Sequence, residues 1–134
     1  MPLVEIDVIE GRSPELIAAI GNAVHRAMCE TLGVPERDRF QLITERARGR
    51  LIYNSSYLDI ARTDGIVVIR VTLSLGRSVE QKQQFYARVA ELLSSDAAVR
   101  PEDVAVCLIE NARDCWSFGR GEASYVVLPR EQWR

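Results

Sequence analysis

Lysine is almost missing from this 134-residue sequence: Lys82 is the one lysine among seventeen basic residues, and the other sixteen are arginine. Histidine occurs once, as His25, and the three cysteines (Cys29, Cys107 and Cys115) form no Cys-x-x-Cys pair. A disulfide scaffold and a zinc ribbon are thereby excluded, and an odd number of thiols fits reduced cysteines in the cytoplasm. No three metal ligands converge at workable spacing, so neither metal nor cofactor is expected. No apolar run approaches the roughly 18 residues that cross a bilayer. The opening Met-Pro-Leu-Val-Glu-Ile-Asp has neither the basic start nor the apolar block of a signal peptide. A formal net charge of −2 gives no general field for nucleic acid or anionic membrane, so neither is an expected partner. What is present is a globular composition, 47% hydrophobic and 27% charged, at the length of one domain (1–134) with one core. The arginine bias reads as codon bias for most of these residues and, for some, as planar guanidinium groups that clamp carboxylates better than ammonium groups do.

The chain repeats itself. Residues 4–15 read VEIDVIEGRSPE, and residues 69–80, an offset of 65, read IRVTLSLGRSVE. In each, an alternating apolar stretch runs into Gly-Arg-Ser and then into a helical pattern. Pro35-Glu36 then leads to Leu42-Ile43-Thr44-Glu45, and Pro101-Glu102 leads to Leu108-Ile109-Glu110. Two copies of one β-α-β unit follow, over about 2–45 and 67–110, with an aromatic and glycine-rich tail at 114–134.

Local signals agree with that division. Residues 3–9 alternate with a two-residue period, a strand with one buried face. Ser13 before Pro14 is an N-cap followed by proline at the first helical position. Leu16, Ile20, Ala23, Val24, Ala27, Met28 and Thr31 form a helical stripe that Gly33 and Pro35 end. Residues 40–45 are the returning strand. The second copy has a strand at 66–75, a cap at Ser78, a helix over about 79–93 with stripe Val79, Phe85, Tyr86, Val89, Leu92 and Leu93, and a strand at 104–110. Residues 46–65, with Tyr53-Asn54-Ser55-Ser56-Tyr57, form a polar crossover with a short strand or turn. The fold class is therefore α/β (α+β): a four-stranded mixed sheet with both helices on one face. The opposite face needs a cover that the chain does not supply, which calls for a homo-oligomer closing sheet on sheet.

Several residues could do chemistry. If Met1 is removed, Pro2 becomes a secondary amine at the start of a strand, where proline is tolerated. An α-amino group titrates near roughly 8, burial lowers that value, and such a nitrogen can act as a general base at neutral pH. Arg12 and Arg77 each sit between a strand end and a capped helix start, where a carboxylate would meet a guanidinium and free helical amides. Asp38, just before a strand, is either a turn residue or an acid that orients water. His25 lies at the margin of the first helix's apolar stripe. Trp116, Phe118 and Tyr125 could wall an apolar pocket or pack an oligomer interface.

Pro2, Glu-Gly-Arg-Ser at 10–13, Gly-Arg-Ser-Val-Glu-Gln-Lys at 76–82, Leu-Ile-Glu-Asn at 108–111 and Trp-Ser-Phe-Gly-Arg-Gly at 116–121 together resemble the tautomerase superfamily. The double length and Val-Pro-Glu-Arg-Asp-Arg-Phe at 34–40 resemble its malonate semialdehyde decarboxylase branch. The resemblance implies a homotrimer with an amino-terminal proline at the centre of each active site. It implies Pro2 as catalytic acid or base, Asp38 as the residue that positions or activates water, and Arg77 as the ligand of the substrate carboxylate. Trp116, Phe118 and Tyr125 match hydrophobic wall positions, and His25 matches a helix histidine that helps hold the carboxylate in related dehalogenases. One departure stands out. The decarboxylase pattern has two arginines separated by one residue, and here Leu75 occupies the first of those positions, beside the substrate.

The single surviving arginine favours keto–enol tautomerisation of a small 2-oxo carboxylate without a cofactor. Pro2 takes a proton from an enol hydroxyl and returns it to carbon, while Arg77 fixes the carboxylate and Asp38 relays or stabilises. Two alternatives are decarboxylation or hydration of a small 3-oxo or acetylenic acid by a protonated Pro2, and a non-catalytic binding or oligomeric domain, which retention of Met1 would favour.

Overall fold

The structure is a computed structural model that describes residues 2–133, and each repeat folds as a β-α-β unit. The first comprises β1 (Pro2–Ile9), α1 (Pro14–Leu32) and β2 (Gln41–Arg46). The second comprises β3 (Val67–Ser74), α2 (Val79–Ala97) and β4 (Val104–Asn111). Strands within a unit are parallel, and the units join through the antiparallel pair β1–β3, giving one sheet in the order β2-β1-β3-β4. The register preserves the repeat offset. Val4 pairs with Gln41 in the first unit, and Ile69 pairs with Val106 in the second, each 65 positions on. The same offset makes Arg12 the counterpart of Arg77, and Asp38 the counterpart of Asp103.

Both strand-to-helix turns are built alike. Gly11 and Gly76 have φ of 128° and 130°, a backbone conformation that side-chain-bearing residues rarely adopt. Ser13 then caps α1 by accepting from the Leu16 amide, and Ser78 caps α2 in a reciprocal capping box with Gln81. Gly33 closes α1 in the left-handed region, its amide donating to the Met28 carbonyl.

Strand alternation sends Val4, Ile6 and Val8 of β1 and Val67, Ile69, Val71 and Leu73 of β3 to one face. There they meet Ile20, Val24 and Met28 of α1 and Phe85, Val89 and Leu93 of α2 in one core. Burying each large apolar side chain stabilises by about 1.5–3 kcal/mol before ordering costs. Two members of the expected α2 stripe fall outside it. Val79 is the first helical residue and Tyr86 sits one step round the helix from Phe85, and both are exposed. The crossover at 46–65 contains a 3-10 turn, Tyr57–Asp59, rather than a strand.

The opposite sheet face is open and charged. Arg46 Nε donates to Asp7 Oδ1 at 2.7 Å, and Arg70 reaches Glu5 at 3.4 Å and Asp7 at 3.6 Å. Leu42 and Ile109 are exposed apolar side chains on the two outer strands, β2 and β4. No helix among the described residues is long and apolar enough to cross a membrane.

Candidate active site

Three segments converge at one end of the sheet. Pro2 is buried at the start of β1 and pairs with Leu73 of β3. On its other side, the Val4 amide donates to the Phe40 carbonyl at 3.0 Å, so two steps back along both chains lie Pro2 and Asp38. Beyond Leu73, β3 ends at Ser74 and the Leu75–Gly76 turn delivers Arg77. Parallel pairing of β1 with β2, and antiparallel pairing of β1 with β3, thus bring Pro2, Asp38 and Arg77 to the same end.

The tail folds over that end. Trp116 Nε1 donates to Asn111 Oδ1 at 2.7 Å, and the Phe118 amide donates to Ser124 Oγ at 2.9 Å. Trp116 stacks on Phe118 with ring centroids 5.4 Å apart, and Phe118 contacts Phe40 at 5.3 Å and Tyr125 at 5.7 Å. A short helix, α3 (Ser124–Val127), buries Tyr125, whose ring meets Trp133 edge-on at 4.9 Å.

Two cavities open beneath this tail, with Pro35, Tyr125 and Trp133 as their common wall. One, of about 340 Å³, is cationic: Arg77, Arg113 and Arg130 line it with Ser74, Leu75 and Gln81, and among the described residues no carboxylate does. The other, of about 300 Å³, holds Asp38 and Arg37 against Phe40, Phe118 and Leu128. A ligand with a carboxylate at one end and an apolar or carbonyl-bearing body at the other matches this polarity.

Arg77 is partly committed to the protein. Its Nε donates to the Leu32 carbonyl at 3.2 Å, and its Nη1 donates to the Ser74 carbonyl at 3.0 Å and to Ser74 Oγ at 3.3 Å. Nη2 has no acceptor among the described residues, which leaves one edge of the fork for a ligand. Burial lowers the pKa of Arg77, with Tyr125 opposing the shift, Arg113 adding to it, and Glu110 and Asp38 opposing it. Burial, reinforced by Asp38 and opposed by Arg77 and Arg113, pushes the Tyr125 phenol well above its ordinary range, so it is a neutral donor. Its hydroxyl is shielded from solvent and has no hydrogen-bond partner among the described residues. Both carboxylate oxygens of Asp38 are likewise shielded from solvent.

The internal repeat supplies a comparison within one molecule. In the second copy of the Arg–Asp arrangement, Arg12 Nη2 donates to the Gly65 carbonyl at 2.6 Å. Asp103, fully buried, accepts from the Thr63 amide at 2.7 Å and from Thr63 Oγ1 at 2.6 Å. Residues 63–65 of the crossover therefore fill that copy, whereas the copy containing Arg77 and Asp38 borders open cavities.

Of the residues singled out from sequence, Asp38, Leu75, Arg77, Phe118 and Tyr125 line these cavities. Trp116 lies behind Phe118 and backs it without lining either cavity. His25 is not brought to the site. Its buried Nε2 bonds the Glu36 carbonyl at 2.8 Å, and since a carbonyl only accepts, Nε2 carries the hydrogen. One position beyond Val24 on α1, the ring points at the 33–38 turn rather than the end of the sheet, and it pins the segment that presents Asp38. Sequence reasoning missed Arg113, Arg130 and Trp133, which lie in or beside the tail without periodic pattern. The arginine bias was the one signal that bore on the two arginines, and nothing in the sequence pointed at Trp133. Among the described residues no group of three or more His, Cys, Asp or Glu is placed to hold a metal.

Comparison with known proteins agrees with this architecture. Residues 2–54 and residues 38–119 each match a family described as tautomerase enzyme. The chain is 36% identical over 126 residues to the probable tautomerase YusQ of Bacillus subtilis, covering 94% of this chain and 99% of that protein. It superposes on malonate semialdehyde decarboxylase, a protein with decarboxylase and hydratase activities, with a TM-score of 0.87 at 35% identity, covering 92% of this chain and 95% of that one. A symmetric trimer of fused 4-OT shares the fold, with a TM-score of 0.75 at 20% identity over 92% of this chain and 96% of that one. Two tandem β-α-β units whose strand register keeps the repeat offset, together with these matches across nearly the whole length, place the chain in the tautomerase family.

Proposed function

We propose that this protein, with Met1 removed, catalyses keto–enol proton transfer on a small 2-oxo carboxylate. The observation that carries the reading is the open copy of the Arg–Asp arrangement, at the sheet end where β1 starts although Pro2 lines neither cavity, while the equivalent copy is filled by residues 63–65. The Pro2 nitrogen, freed from its peptide bond and uncharged in a buried setting, takes the proton of the enol hydroxyl and returns it to carbon. The O–H bond breaks, the C–H bond forms, and the double bond moves from C=C to C=O. Arg77 holds the carboxylate through its uncommitted Nη2 edge. Tyr125 donates its hydroxyl to the developing oxyanion or the carboxylate, and Asp38 relays or stabilises the second proton position. Positioned transfer of this kind accelerates by about 10²–10⁴-fold. The test is the ketonisation of phenylenolpyruvate by the untagged protein, followed by ultraviolet absorbance. Saturable acceleration above buffer is expected, and a rate equal to buffer overturns the reading.

A second reading has its own support in the likeness to malonate semialdehyde decarboxylase and in the second cation, Arg113, lining the cavity. Protonated Pro2 would hydrogen-bond the carbonyl oxygen of a 3-oxo acid while the C–C bond to the carboxylate breaks. Carbon dioxide leaves, and the electron pair passes to an enol that reprotonates at carbon. Carbon dioxide release from malonate semialdehyde, exceeding phenylenolpyruvate ketonisation in kcat/KM, would make this the principal activity.

The assembly we propose is a homotrimer in which the open sheet faces cover one another, burying Leu42, Ile109 and the Asp7–Arg46–Arg70 network. Light scattering should report about 45 kDa for three copies of 15.1 kDa, and a monomer would exclude it. The three cysteines are free thiols, which suits the cytoplasmic location expected from the sequence.

A further inference from the structure

Leu75 stands where the resemblance expects a guanidinium, yet the cavity it lines is not short of positive charge. Ser74 pairs with Asn111 across the parallel β3–β4 ladder, and the Leu75 amide donates to the Asn111 carbonyl at 2.9 Å. The end of β4 therefore lies against Leu75, and a 3-10 turn, Arg113–Cys115, follows it. Arg113 is two residues past Asn111 and lines the same cavity as Leu75 and Arg77. A charge missing from one strand end is thus present on the adjacent one.

Arg113 is also unspent. Among the described residues it makes no hydrogen bond and no ion pair, and its one recorded contact is with Trp133, whose ring lies 5.2 Å from its guanidinium carbon. Trp133 is itself fixed, donating Nε1 to the Leu128 carbonyl at 3.2 Å and meeting Tyr125 edge-on. Arg113 sits two residues past the end of β4, next to the strand end that carries Leu75, whereas Arg130 belongs to the last turn of the tail, 5.9 Å from the Trp133 ring. Two guanidinium groups facing a cavity that no carboxylate lines among the described residues form a site for an anion between them.

We propose that Arg113 is the second carboxylate-binding residue of this site, replacing the guanidinium that position 75 lacks, and that Trp133 positions it. The ligand class is an oxo monocarboxylate, held jointly by Arg77 and Arg113. The inference rests on the reading of Arg77 as a carboxylate ligand, and the experiment separates the two. Phenylenolpyruvate and its methyl ester are compared as substrates for the untagged native protein, Arg113→Ala, Arg113→Lys and Trp133→Phe, and pyruvate binding is measured by calorimetry in parallel. Arg113→Ala should raise KM for the acid about tenfold or more while changing KM for the ester less than about twofold. Arg113→Lys should recover part of the loss, and Trp133→Phe, which loses the indole bond to the Leu128 carbonyl that fixes the ring under Arg113, should raise KM for the acid more than for the ester. An unchanged KM for the acid, or an equal rise for acid and ester, overturns the proposal. If the native protein does not turn over the enol, the tautomerase reading fails and pyruvate binding decides Arg113. Binding weakened about tenfold in Arg113→Ala upholds it, whereas equal binding by both proteins, or none by the native protein, overturns it.

Discussion

Replacing Arg77 by alanine should damage ligand binding and folding by separable amounts. On the binding side, the side chain has one uncommitted edge, because Nε and Nη1 are engaged by Leu32 and Ser74. A charge-assisted hydrogen bond from that edge to a carboxylate contributes about 1.5–3 kcal/mol, or roughly 10- to 150-fold in affinity. On the folding side, Arg77 ties the end of α1 to the end of β3 through two backbone carbonyls, and its loss should cost about 1–2 kcal/mol, since water can resolvate part of what it leaves. At this chain length that corresponds to a fall of about 3–8 °C in Tm. Arg77→Lys keeps the charge but not the fork, so it should fall between native and alanine in both measurements. The assay is steady-state ketonisation of phenylenolpyruvate below the melting range, with circular dichroism to verify folding. A folded Arg77→Ala protein whose KM lies within about twofold of native would refute the reasoning.

Glu30 bridges Arg88 of α2 and Arg26 of its own helix, and these partners hold its carboxyl down to about 2. Because the folded value lies below the ordinary 4.5, the linked stability is present above pH 4.5 and is lost as pH falls toward 2. Urea midpoints of Glu30→Gln should therefore depend less on pH across that window than native midpoints, and parallel curves would contradict the assignment. Tyr125→Phe removes a shielded hydroxyl without a partner among the described residues, so it should stabilise the ligand-free protein by about 1 kcal/mol. The same variant should lose turnover, and a lower Tm would show that the hydroxyl is bonded in the free protein. Gly76→Ala places a side chain at φ of 130° and should cost about 1–3 kcal/mol, read from urea melts. A neutral result there would mean that the turn relaxes without glycine.

The fold was legible because its signals are periodic and occur twice. The 65-residue offset between the Gly-Arg-Ser turns reappears in the strand register, where Val4–Gln41 and Ile69–Val106 are equivalent pairs. Two-residue alternation in β1 and β3 identified the core face, and Ser13 and Ser78 marked helix starts that the structure retains. The site was legible only in part. Arg77 stands in a Gly-Arg-Ser turn that recurs through the repeat, and Asp38 follows a proline turn just before a strand, so their positions could be argued from sequence. Arg113 and Trp133 could not. Strand pairing beyond Asn111 and a cluster of aromatic contacts place them, and neither leaves a local pattern. His25 shows the opposite limit: its place at the margin of the apolar stripe fits a site residue and a structural one equally, and only its bond to the Glu36 carbonyl separates the two.

The central claim is that the Pro2 nitrogen moves the proton. The direct measurement is the ketonisation rate of phenylenolpyruvate with untagged native protein and with Pro2→Ala, each checked by intact mass for loss of Met1. The account predicts a native rate well above buffer that falls about 10²-fold or more in Pro2→Ala, at unchanged secondary structure. A Pro2→Ala protein that ketonises the enol as fast as native would contradict it.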